Sequence, residues 1–181
     1  AMPELNDRLA SVREAVRSGA ASYKHGATLL LRAAEGAVLT RSDEPAVEII
    51  GGVRLQFQGG DFFPNNPFIL PAFVGHVIAE ARAGGARFPV DAYCGSGLFG
   101  LCAARHFEEV SGVEISEPAV AKARHNAEIN GLGNCRFLAA DARQIFTGIT
   151  HAPGETVVIV DPPRAGCSTE FLDQLFAFGA R

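Results

Sequence analysis

The segment from Phe88 to Glu114 joins a short apolar run, a glycine-rich turn and a helix-forming stretch, and it constrains the fold more than any other part of the sequence. The apolar run ends at Asp91, glycines follow at 95 and 97, and Leu98 to His106 has the composition of a helix. A second apolar run, Val110 to Ile115, completes a strand, helix, strand unit. Because glycine accepts positive φ and has no side chain, this loop lets a ligand lie against the backbone at the helix N-terminus.

The glycines at 95–100 also spell G-x-G-x-x-G, and Glu114 follows at the spacing of an acid that binds ribose hydroxyls in dinucleotide folds. Two features favour another ligand. Polar residues, beginning with Asp91, separate the apolar strand from the first glycine, and a later strand ends in Asp-Pro-Pro at 161–163. A nicotinamide enzyme needs neither feature, so it is the third candidate function after the two candidates that bind a different cofactor.

Four predicted strands each end in an acidic residue. These residues are Asp91, Glu114, Asp141 and Asp161. Strands that alternate with helices predict a parallel, doubly wound α/β sheet with its ligand at the carboxyl edge. Four carboxylates at that edge would repel an anionic dinucleotide, whereas they suit a ligand that carries a sulfonium and an ammonium group. The charge pattern therefore favours S-adenosylmethionine over NAD.

Four segments carry a resemblance to a known family. In chain order they are Phe62 to Pro67, Asp91 to Gly100, Gly112 to Ser116 and Val160 to Cys167. In these segments the chain resembles the S-adenosylmethionine-dependent RNA uracil-5-methyltransferases, especially the eukaryotic-type tRNA branch, and the similarity runs from about Lys24 to about Leu175. A glycine loop alone is weakly specific, but the ordered set of four is strongly specific.

The resemblance implies a Rossmann-like class I methyltransferase sheet whose C-terminal strands are missing, preceded by an N-terminal helix and a small antiparallel β segment. It assigns residues 1–60 to that helix and β segment, as the end of a central domain, and residues 61–181 to an incomplete S-adenosylmethionine-binding domain. The implied reaction transfers a methyl group from S-adenosylmethionine to C5 of a uridine in tRNA. A methyltransferase acting on an exocyclic amine of a nucleic-acid base, and a non-catalytic cofactor-binding module, remain alternatives.

The expected cofactor contacts combine the strand pattern with this resemblance. They are Tyr93, Gly95, Ser96, Gly97, Leu98, Glu114, Asp141 and Asp161. Glu114 would accept hydrogen bonds from the ribose, and Asp141 stands where methyltransferases recognise the adenine amino group, although a loop acid or helix cap there needs no ligand. Two prolines stiffen the turn after Asp161 and would hold it beside the reacting methyl. The family glutamine in the loop 62–67 is Pro64 here, so that contact is missing, or Asn65 or Asn66 supplies it, or these asparagines fix a turn.

No catalytic residue is expected in this chain. In the family a cysteine thiolate attacks C6 of a flipped-out uracil and a glutamate base removes the C5 proton. The resemblance places both residues beyond Arg181, so this piece alone is expected to be inactive. Cys94 and Cys167 match family cysteines that are not nucleophiles, and neither is expected to substitute.

The N-terminal third follows other patterns. Pro3 to Arg17 reads as an amphipathic helix, and short apolar runs at 29–31, 37–40, 47–50 and 53–57, with Gly51-Gly52 between the last two, predict antiparallel strands and a hairpin. A helix is expected from Phe68 to Arg82, with Ile69, Phe73, Val77 and Ile78 facing inward. After the glycine loop, Ser116 should cap a helix, and another should run from Thr169 to Phe178.

Composition bounds the partners and the location. The net charge of −4 counts against a general nucleic-acid binder, so an RNA surface must be local. No apolar run approaches the ~20 residues of a membrane span, and the four cysteines lack metal-site spacing. We expect no membrane association, no metal, and a cytoplasmic location, with nucleus and mitochondrion left open. A sheet that ends at Val157 to Asp161 leaves an unpaired edge, so we expect self-association there.

Overall fold

The computed structural model describes residues 2–22, 28–34, 36–64 and 66–180. The chain divides into two compact units: an N-terminal unit of residues 1–48 and 56–65, and a C-terminal unit of residues 49–55 and 66–181. The short segment 49–55 groups with the second unit. The domain division expected near residue 60 stays a prediction.

Helices and strands follow one another in chain order. The helices are α1 (Pro3–Ser18), α2 (Leu70–Ala83), α3 (Leu98–Ala103), α4 (Glu117–Ile129) and α5 (Thr169–Phe178). The strands are β1 (Arg32–Ala34), β2 (Ala37–Leu39), β3 (Pro45–Ile50), β4 (Val53–Gln58), β5 (Phe88–Ala92), β6 (Val110–Glu114), β7 (Cys135–Ala139) and β8 (Thr156–Val160). Short 3-10 helices lie at Ala20–Ser22, Ala104–His106, Ala142–Gln144 and Pro153–Glu155.

The N-terminal unit contains an antiparallel pair, β1 and β2, in which Ala34 lies opposite Ala37. The expectation of a strand at residues 29–31 was wrong, because the first strand begins at Arg32. Pairing across a two-residue connection forces the strand to end directly before that connection, whatever the apolar content of the preceding residues. The strand position is therefore set by the turn and not by the leucines.

A buried arginine organises the end of the N-terminal unit. The Arg32 guanidinium donates hydrogen bonds to the carbonyls of Gly59 (3.0 Å), Asp61 (2.8 Å) and Phe63. It also lies 4.9 Å from the centroid of the Phe57 ring, which stacks on the Phe63 ring at 4.2 Å. Burial lowers the pKa of Arg32. These contacts fix the start of the loop that resembles the family segment.

The hairpin of β3 and β4 turns at Gly51 and Gly52, which have φ of 57° and 77°, as the Gly-Gly signal predicted. Its tip is tied to the C-terminal unit. The Asn130 side chain accepts from the Arg54 N–H (2.9 Å) and donates to the Arg54 carbonyl (2.7 Å), and Arg105 donates to the Gly52 carbonyl (3.3 Å). These bonds explain why residues 49–55 group with the second unit.

The C-terminal unit is built on a parallel sheet with strand order β7-β6-β5-β8. The predicted parallel α/β sheet is therefore confirmed. The central strand β5 is paired on both sides, so Val90 lies opposite Ser111 of β6 and Val158 of β8. Within the described part of the chain, no strand pairs with the outer edge of β8. The carboxyl ends of all four strands meet at one edge, where the glycine loop lies.

Helix α2 buries a different face from the one that was expected. Its buried residues are Leu70, Val74, Ile78 and Ala81, whereas Ile69 is 59 % exposed and Phe73 is 44 % exposed. The expectation for Ile69 and Phe73 was wrong because the helix begins at Leu70 and its apolar stripe follows the helical spacing from there. Phe73 still makes an edge-to-face contact with Phe99, with ring centroids 5.5 Å apart.

Candidate functional site

The loop between β5 and α3 has an unusual backbone. Tyr93, Gly95 and Gly97 have φ of 61°, 53° and 91°, and Tyr93 is the only residue other than glycine with positive φ among those described. The Gly97 N–H donates to the Cys94 carbonyl (2.8 Å), which closes the turn before α3 starts at Leu98. The predicted strand, tight loop and helix are therefore present.

Gly97 allows two helices to approach each other. A Cβ atom at this position would lie 2.9 Å from the Leu101 side chain and 3.2 Å from the Cβ of Ala123 in α4. Because of these distances and the φ of 91°, any side chain at position 97 would lower the stability of the fold. The loop also buries the side chains of Ser96 and Leu98, two of the predicted contact residues, and neither lines the cleft described below.

Glu114, at the end of β6, is fixed by two backbone donors. Its Oε2 accepts from the Gly95 N–H (3.2 Å), and its Oε1 accepts from the Ser116 N–H (2.9 Å). Because a carboxylate oxygen has two acceptor lone pairs, each oxygen retains capacity for a hydroxyl donor. Ser116 then caps α4, as predicted, by accepting from the Ala119 N–H (3.4 Å).

A cleft of about 250 Å³ opens beside Glu114. Its lining residues come from the ends of β5, β6 and β7 and from the loop before α5. They are Tyr93, Val113, Glu114, Ile115, Asp141, Arg143, Gly166 and Ser168. The structure thus brings three predicted site residues, Tyr93, Glu114 and Asp141, into one cavity, and Gly95 is joined to that cavity through Glu114.

Asp141 is paired within its own loop. Its Oδ1 accepts from the Arg143 N–H (2.9 Å), and its Oδ2 accepts from the Arg143 guanidinium (2.7 Å). These bonds, led by the side-chain contact, lower the pKa of Asp141 to about 2. Asp141 therefore acts as a loop cap and also lines the cleft, so the two interpretations left open by the sequence are compatible.

Asp161 stands apart from the other predicted site residues. It follows β8 directly and is exposed, and it does not line the cleft. The register pairs Ala92 with Val160, so Tyr93 and Asp161 begin neighbouring loops at the carboxyl edge of the sheet. The charge of Asp161 still acts on this region, because it contributes to raising the pKa of Asp91.

Asp91 lies beneath the glycine loop and not on the rim of the sheet, where the sequence pattern placed it. Its side chain is fully buried, Oδ2 accepts from the Gly100 N–H (2.8 Å), and Oδ1 finds no hydrogen-bond partner among the described residues. Burial, and to a lesser extent the charges of Asp161 and Glu114, raise the pKa of Asp91 to about 7. The site therefore holds fewer permanent negative charges than the sequence predicted.

The cysteines near the cleft are not arranged as nucleophiles. Cys94 is buried, and burial, with the nearby Asp91 and Glu114, raises the pKa of its thiol far above the usual range. A thiol that stays protonated at neutral pH is a poor nucleophile. Cys167 is half-buried and packs against the core cluster that contains Phe171. Among the described residues, no group of His, Cys, Asp and Glu side chains is placed to hold a metal ion.

Sequence reasoning missed five lining residues: Val113, Ile115, Arg143, Gly166 and Ser168. Ile115 gave a signal, because it is an apolar residue directly after the strand acid Glu114. In the structure its side chain is 71 % exposed and could contact a flat ligand. Arg143 gave none, because its position depends on the fold of its loop. Asn66 accepts from the Phe68 N–H (3.1 Å), which favours the turn-fixing interpretation, whereas Asn65 lies outside the described residues.

Within the residues that the structure describes, no helix combines the length and apolar character needed to cross a bilayer.

Comparison with known proteins agrees with the geometry of the sheet. A family described as "Methyltransferase domain" matches residues 90–161. The tRNA (uracil(54)-C(5))-methyltransferase of Schizosaccharomyces pombe is 36 % identical over 96 % of this chain, and that of Saccharomyces cerevisiae is 42 % identical over 77 %.

The Pyrococcus abyssi tRNA (uracil-54, C5)-methyltransferase, crystallised with S-adenosyl-L-homocysteine, superposes with a TM-score of 0.63 at 28 % identity over 77 % of this chain. The chain spans 35 %, 23 % and 34 % of the lengths of the three relatives, in the order given. The Rossmann-like fold expected from the sequence is confirmed. The resemblance to the S-adenosylmethionine-dependent RNA uracil-5-methyltransferases is thereby confirmed as well, and residues 90–161 match a methyltransferase domain.

Proposed function

We propose that this chain carries the S-adenosylmethionine site of an RNA methyltransferase that methylates C5 of a uridine in tRNA. The observation that carries the proposal is the Glu114 carboxylate, held by backbone N–H groups of Gly95 and Ser116 at the wall of a cleft. The names of the relatives supply the reaction and the substrate class. The S-adenosyl-L-homocysteine bound to the Pyrococcus abyssi enzyme supports the choice of cofactor.

The cleft has suitable groups for each part of the cofactor. Glu114 retains acceptor capacity for the ribose hydroxyls, and the exposed Ile115 side chain offers an apolar surface for the adenine ring. Asp141 lines the same cavity and would accept from the adenine amino group. The Gly95–Leu98 backbone, together with Tyr93 and Asp161, is assigned to the methionine end. The cofactor supplies an electrophilic methyl group on a sulfonium.

Charge supports this orientation. Arg143 neutralises Asp141 at the adenosine end of the cleft. Asp161 and Glu114 leave the opposite end negative, and the buried Asp91 adds less charge because burial raises its pKa to about 7. A ligand with a cationic methionine moiety fits that distribution, whereas the pyrophosphate of NAD would meet carboxylates.

Methyl transfer to uracil C5 needs a thiolate that attacks C6, and we propose that neither Cys94 nor Cys167 supplies it. Cys94 is buried with a raised pKa, and Cys167 is half-buried against the core cluster. These observations also favour the second candidate function: on its own, this chain acts as a cofactor-binding module without catalysis. An enzyme acting on an exocyclic amine would yield a different product base, which nucleoside analysis of RNA treated with the full-length protein would identify.

We also propose that the N-terminal unit is the end of a central domain, that tRNA is the RNA partner of the whole protein, and that the protein is cytoplasmic. Fluorescence microscopy of the tagged full-length protein would test the location.

Calorimetry with S-adenosyl-L-homocysteine and, separately, with NAD tests the proposed function. We expect S-adenosyl-L-homocysteine to bind in a one-to-one complex and NAD to give no measurable heat. Binding of NAD with equal or greater affinity would overturn the assignment, and so would the absence of S-adenosyl-L-homocysteine binding by folded protein. A Glu114→Gln variant separates binding in the cleft from binding elsewhere.

A further inference from the structure

The side chain of Asn126 is fully buried on a face of α4 whose other buried residues are apolar. Those residues are Val120, Ala123 and Ala127. The Asn126 Nδ2 donates to the Ser96 carbonyl of the glycine loop (3.4 Å). Burying an amide costs free energy unless it is hydrogen-bonded, so an amide is tolerated here because it has partners such as this carbonyl.

The glycine loop is also in close contact with α4 one turn earlier. A Cβ atom at Gly97 would lie 3.2 Å from the Cβ of Ala123, so the backbone of the loop rests directly on the helix. The Gly97 N–H donates to the Cys94 carbonyl (2.8 Å), while the Ser96 carbonyl, in the same peptide group, accepts from Asn126. One peptide group of the loop is therefore held on both sides, by the turn and by α4.

Asn130 connects the same helix with the hairpin tip, residues 49–55. It directly follows the last residue of α4, and its side chain donates back to the Asn126 carbonyl (2.7 Å), which satisfies a carbonyl at the helix end. The same side chain accepts from the Arg54 N–H (2.9 Å) and donates to the Arg54 carbonyl (2.7 Å). Because residues four apart share a face of a helix, the last turn of α4 bridges the hairpin tip and the glycine loop.

The hairpin tip also contacts the helix that follows the glycine loop. The Cys102 thiol of α3 donates to the Ile50 carbonyl (3.7 Å). Arg105, in the short 3-10 helix after α3, donates to the Gly52 carbonyl (3.3 Å). The tip is therefore bonded both to the helix that begins at the loop and to the helix on which the loop rests.

We propose that Asn126 and Asn130 are positioning residues through which the hairpin tip holds the glycine loop in place for the cofactor. The inference rests on the proposed function, because the loop belongs to the proposed cofactor site. Asn130 fixes the end of α4 on the hairpin, and Asn126 fixes the loop on the same turn of α4. A loop that is fixed before binding loses less conformational freedom when the ligand arrives. Residues 49–55 thus contribute to cofactor affinity, although none of them lines the cleft.

Hydrogen exchange of the Gly97 amide tests the positioning of the loop without any ligand. We expect Asn130→Ala to speed this exchange about threefold to tenfold, the effect of losing one hydrogen bond. Asn126→Leu, which keeps the volume and removes the donor, should act in the same way. The Gly166 amide, which donates to the Pro163 carbonyl (2.8 Å) in the loop after β8, should exchange at an unchanged rate. Equal Gly97 rates in Asn130→Ala and the wild type would overturn the proposal, and so would an equal acceleration at Gly166.

Calorimetry tests the effect on binding. Asn130→Ala should weaken S-adenosyl-L-homocysteine binding about threefold to tenfold. Adding Asn126→Leu should weaken it no further than the worse single variant does, because two breaks in one series of contacts remove the same connection. Additive losses would contradict a connection in series. Arg54→Ala should bind like the wild type, since Asn130 contacts only the backbone of Arg54 in the bonds described above. A loss in Arg54→Ala equal to that in Asn130→Ala would refute the role of this backbone contact.

Asn134→Ala is the matched control for a general loss of stability. The Asn134 side chain donates to the carbonyls of Ala104 (2.8 Å) and Phe107 (3.1 Å). Asn134 directly precedes β7, so it lies at the amino edge of the sheet, opposite the edge with the glycine loop. We expect Asn134→Ala to lower the urea midpoint as Asn130→Ala does and to leave the affinity unchanged.

The outcomes separate this proposal from the proposed function. Equal losses of S-adenosyl-L-homocysteine affinity in Asn134→Ala and Asn130→Ala would overturn the positioning role while leaving cofactor binding intact. If the wild type fails to bind S-adenosyl-L-homocysteine, the proposed function fails, and the exchange rates of Gly97 still decide whether the hairpin tip holds the loop. Urea denaturation of each variant confirms that it is folded at the temperature of the measurement.

Discussion

Gly95 and Glu114 are 19 residues apart in the sequence and are joined by a hydrogen bond of 3.2 Å from the Gly95 N–H to Oε2 of the carboxylate. The bond connects the loop after β5 with the end of β6, so the two halves of the strand, helix, strand unit share one fixed point. The same carboxylate lines the cleft. Alteration of Glu114 should therefore affect both the loop and the ligand.

Glu114→Gln should weaken S-adenosyl-L-homocysteine binding about tenfold or more, because hydrogen bonds to a charged acceptor are stronger than those to a neutral one. The glutamine side chain would also place its NH₂ group opposite one of the two backbone N–H donors, so that one hydrogen bond would be lost. Calorimetry measures the change, and Glu117→Gln, an exposed acid in the first turn of α4, is the control for loss of charge. Equal affinities for Glu114→Gln and the wild type would remove Glu114 from the site.

Gly97→Ala should lower the free energy of unfolding by about 1 to 3 kcal/mol, the range for overpacking together with unfavourable φ. The added Cβ would lie 2.9 Å from the Leu101 side chain. Urea denaturation measures the loss. Gly133→Ala is the control, since its Cβ would meet nothing within 4 Å and its φ is not positive. If the two variants lose the same stability, close packing at Gly97 is not the cause.

Asp91 should make stability depend on pH. Its pKa is raised from 3.8 to about 7 in the folded protein, so between these values the folded chain holds a proton that the unfolded chain releases. Its contribution to stability is therefore full below about pH 4 and is lost as the pH rises through about 7.

The Asp91→Asn variant does not titrate and isolates this effect. We expect the stability difference between wild type and Asp91→Asn to move in favour of the variant by about 4 kcal/mol between pH 4 and pH 8. Urea denaturation at both pH values measures it. A difference that stays constant with pH would show that buried Asp91 does not change its protonation on folding.

The isolated chain should bind cofactor without transferring its methyl group. Incubation with labelled S-adenosylmethionine and a uridine-containing tRNA should give no labelled RNA, because Cys94 is buried with a raised pKa and Cys167 is half-buried against the core. Full-length protein is the positive control. Labelled 5-methyluridine formed by the isolated chain would contradict the assignment of catalysis to other residues.

The outer edge of β8 should promote self-association, since it presents unpaired backbone groups in an apolar strand. Sedimentation velocity at increasing concentration should show a species larger than the monomer. Val160→Lys, which places a charge on a residue that is 37 % exposed, should suppress it. Leu138→Lys on β7, the opposite edge of the sheet, is the matched control. A strictly monomeric wild type at high concentration would refute the prediction.

Local signals predicted much of this fold. The Ser116 cap and the bounds of α5 follow from residues that act within one helical turn, and the structure has them as expected. The strand expected at residues 29–31 was wrong, because the position of a strand in a hairpin is set by the turn. Ile69 and Phe73 misled because the helix begins later than the apolar run.

The site could be predicted only in part. The acid at the end of β6 lies on the cleft because strand ends meet at one edge of a parallel sheet, which is a property of the topology. The burial of Asp91 depends on both neighbouring strands and the loop above it, and the pairing of Asp141 with Arg143 depends on a 3-10 turn. Neither arrangement can be predicted from the spacing of residues in the sequence.

The hairpin tip at residues 49–55 makes the second unit discontinuous along the chain. An expression fragment that starts at the loop after β4 would lack Arg54, whose backbone N–H and carbonyl both hydrogen-bond to the Asn130 side chain. It would also lack the Gly52 carbonyl, which accepts a hydrogen bond from Arg105. The ends of α3 and α4 would then be exposed to solvent at the positions that now contact the hairpin tip. A recombinant methyltransferase unit must therefore retain this upstream peptide, and dissecting the protein at a simple cut between its two units would discard part of the second.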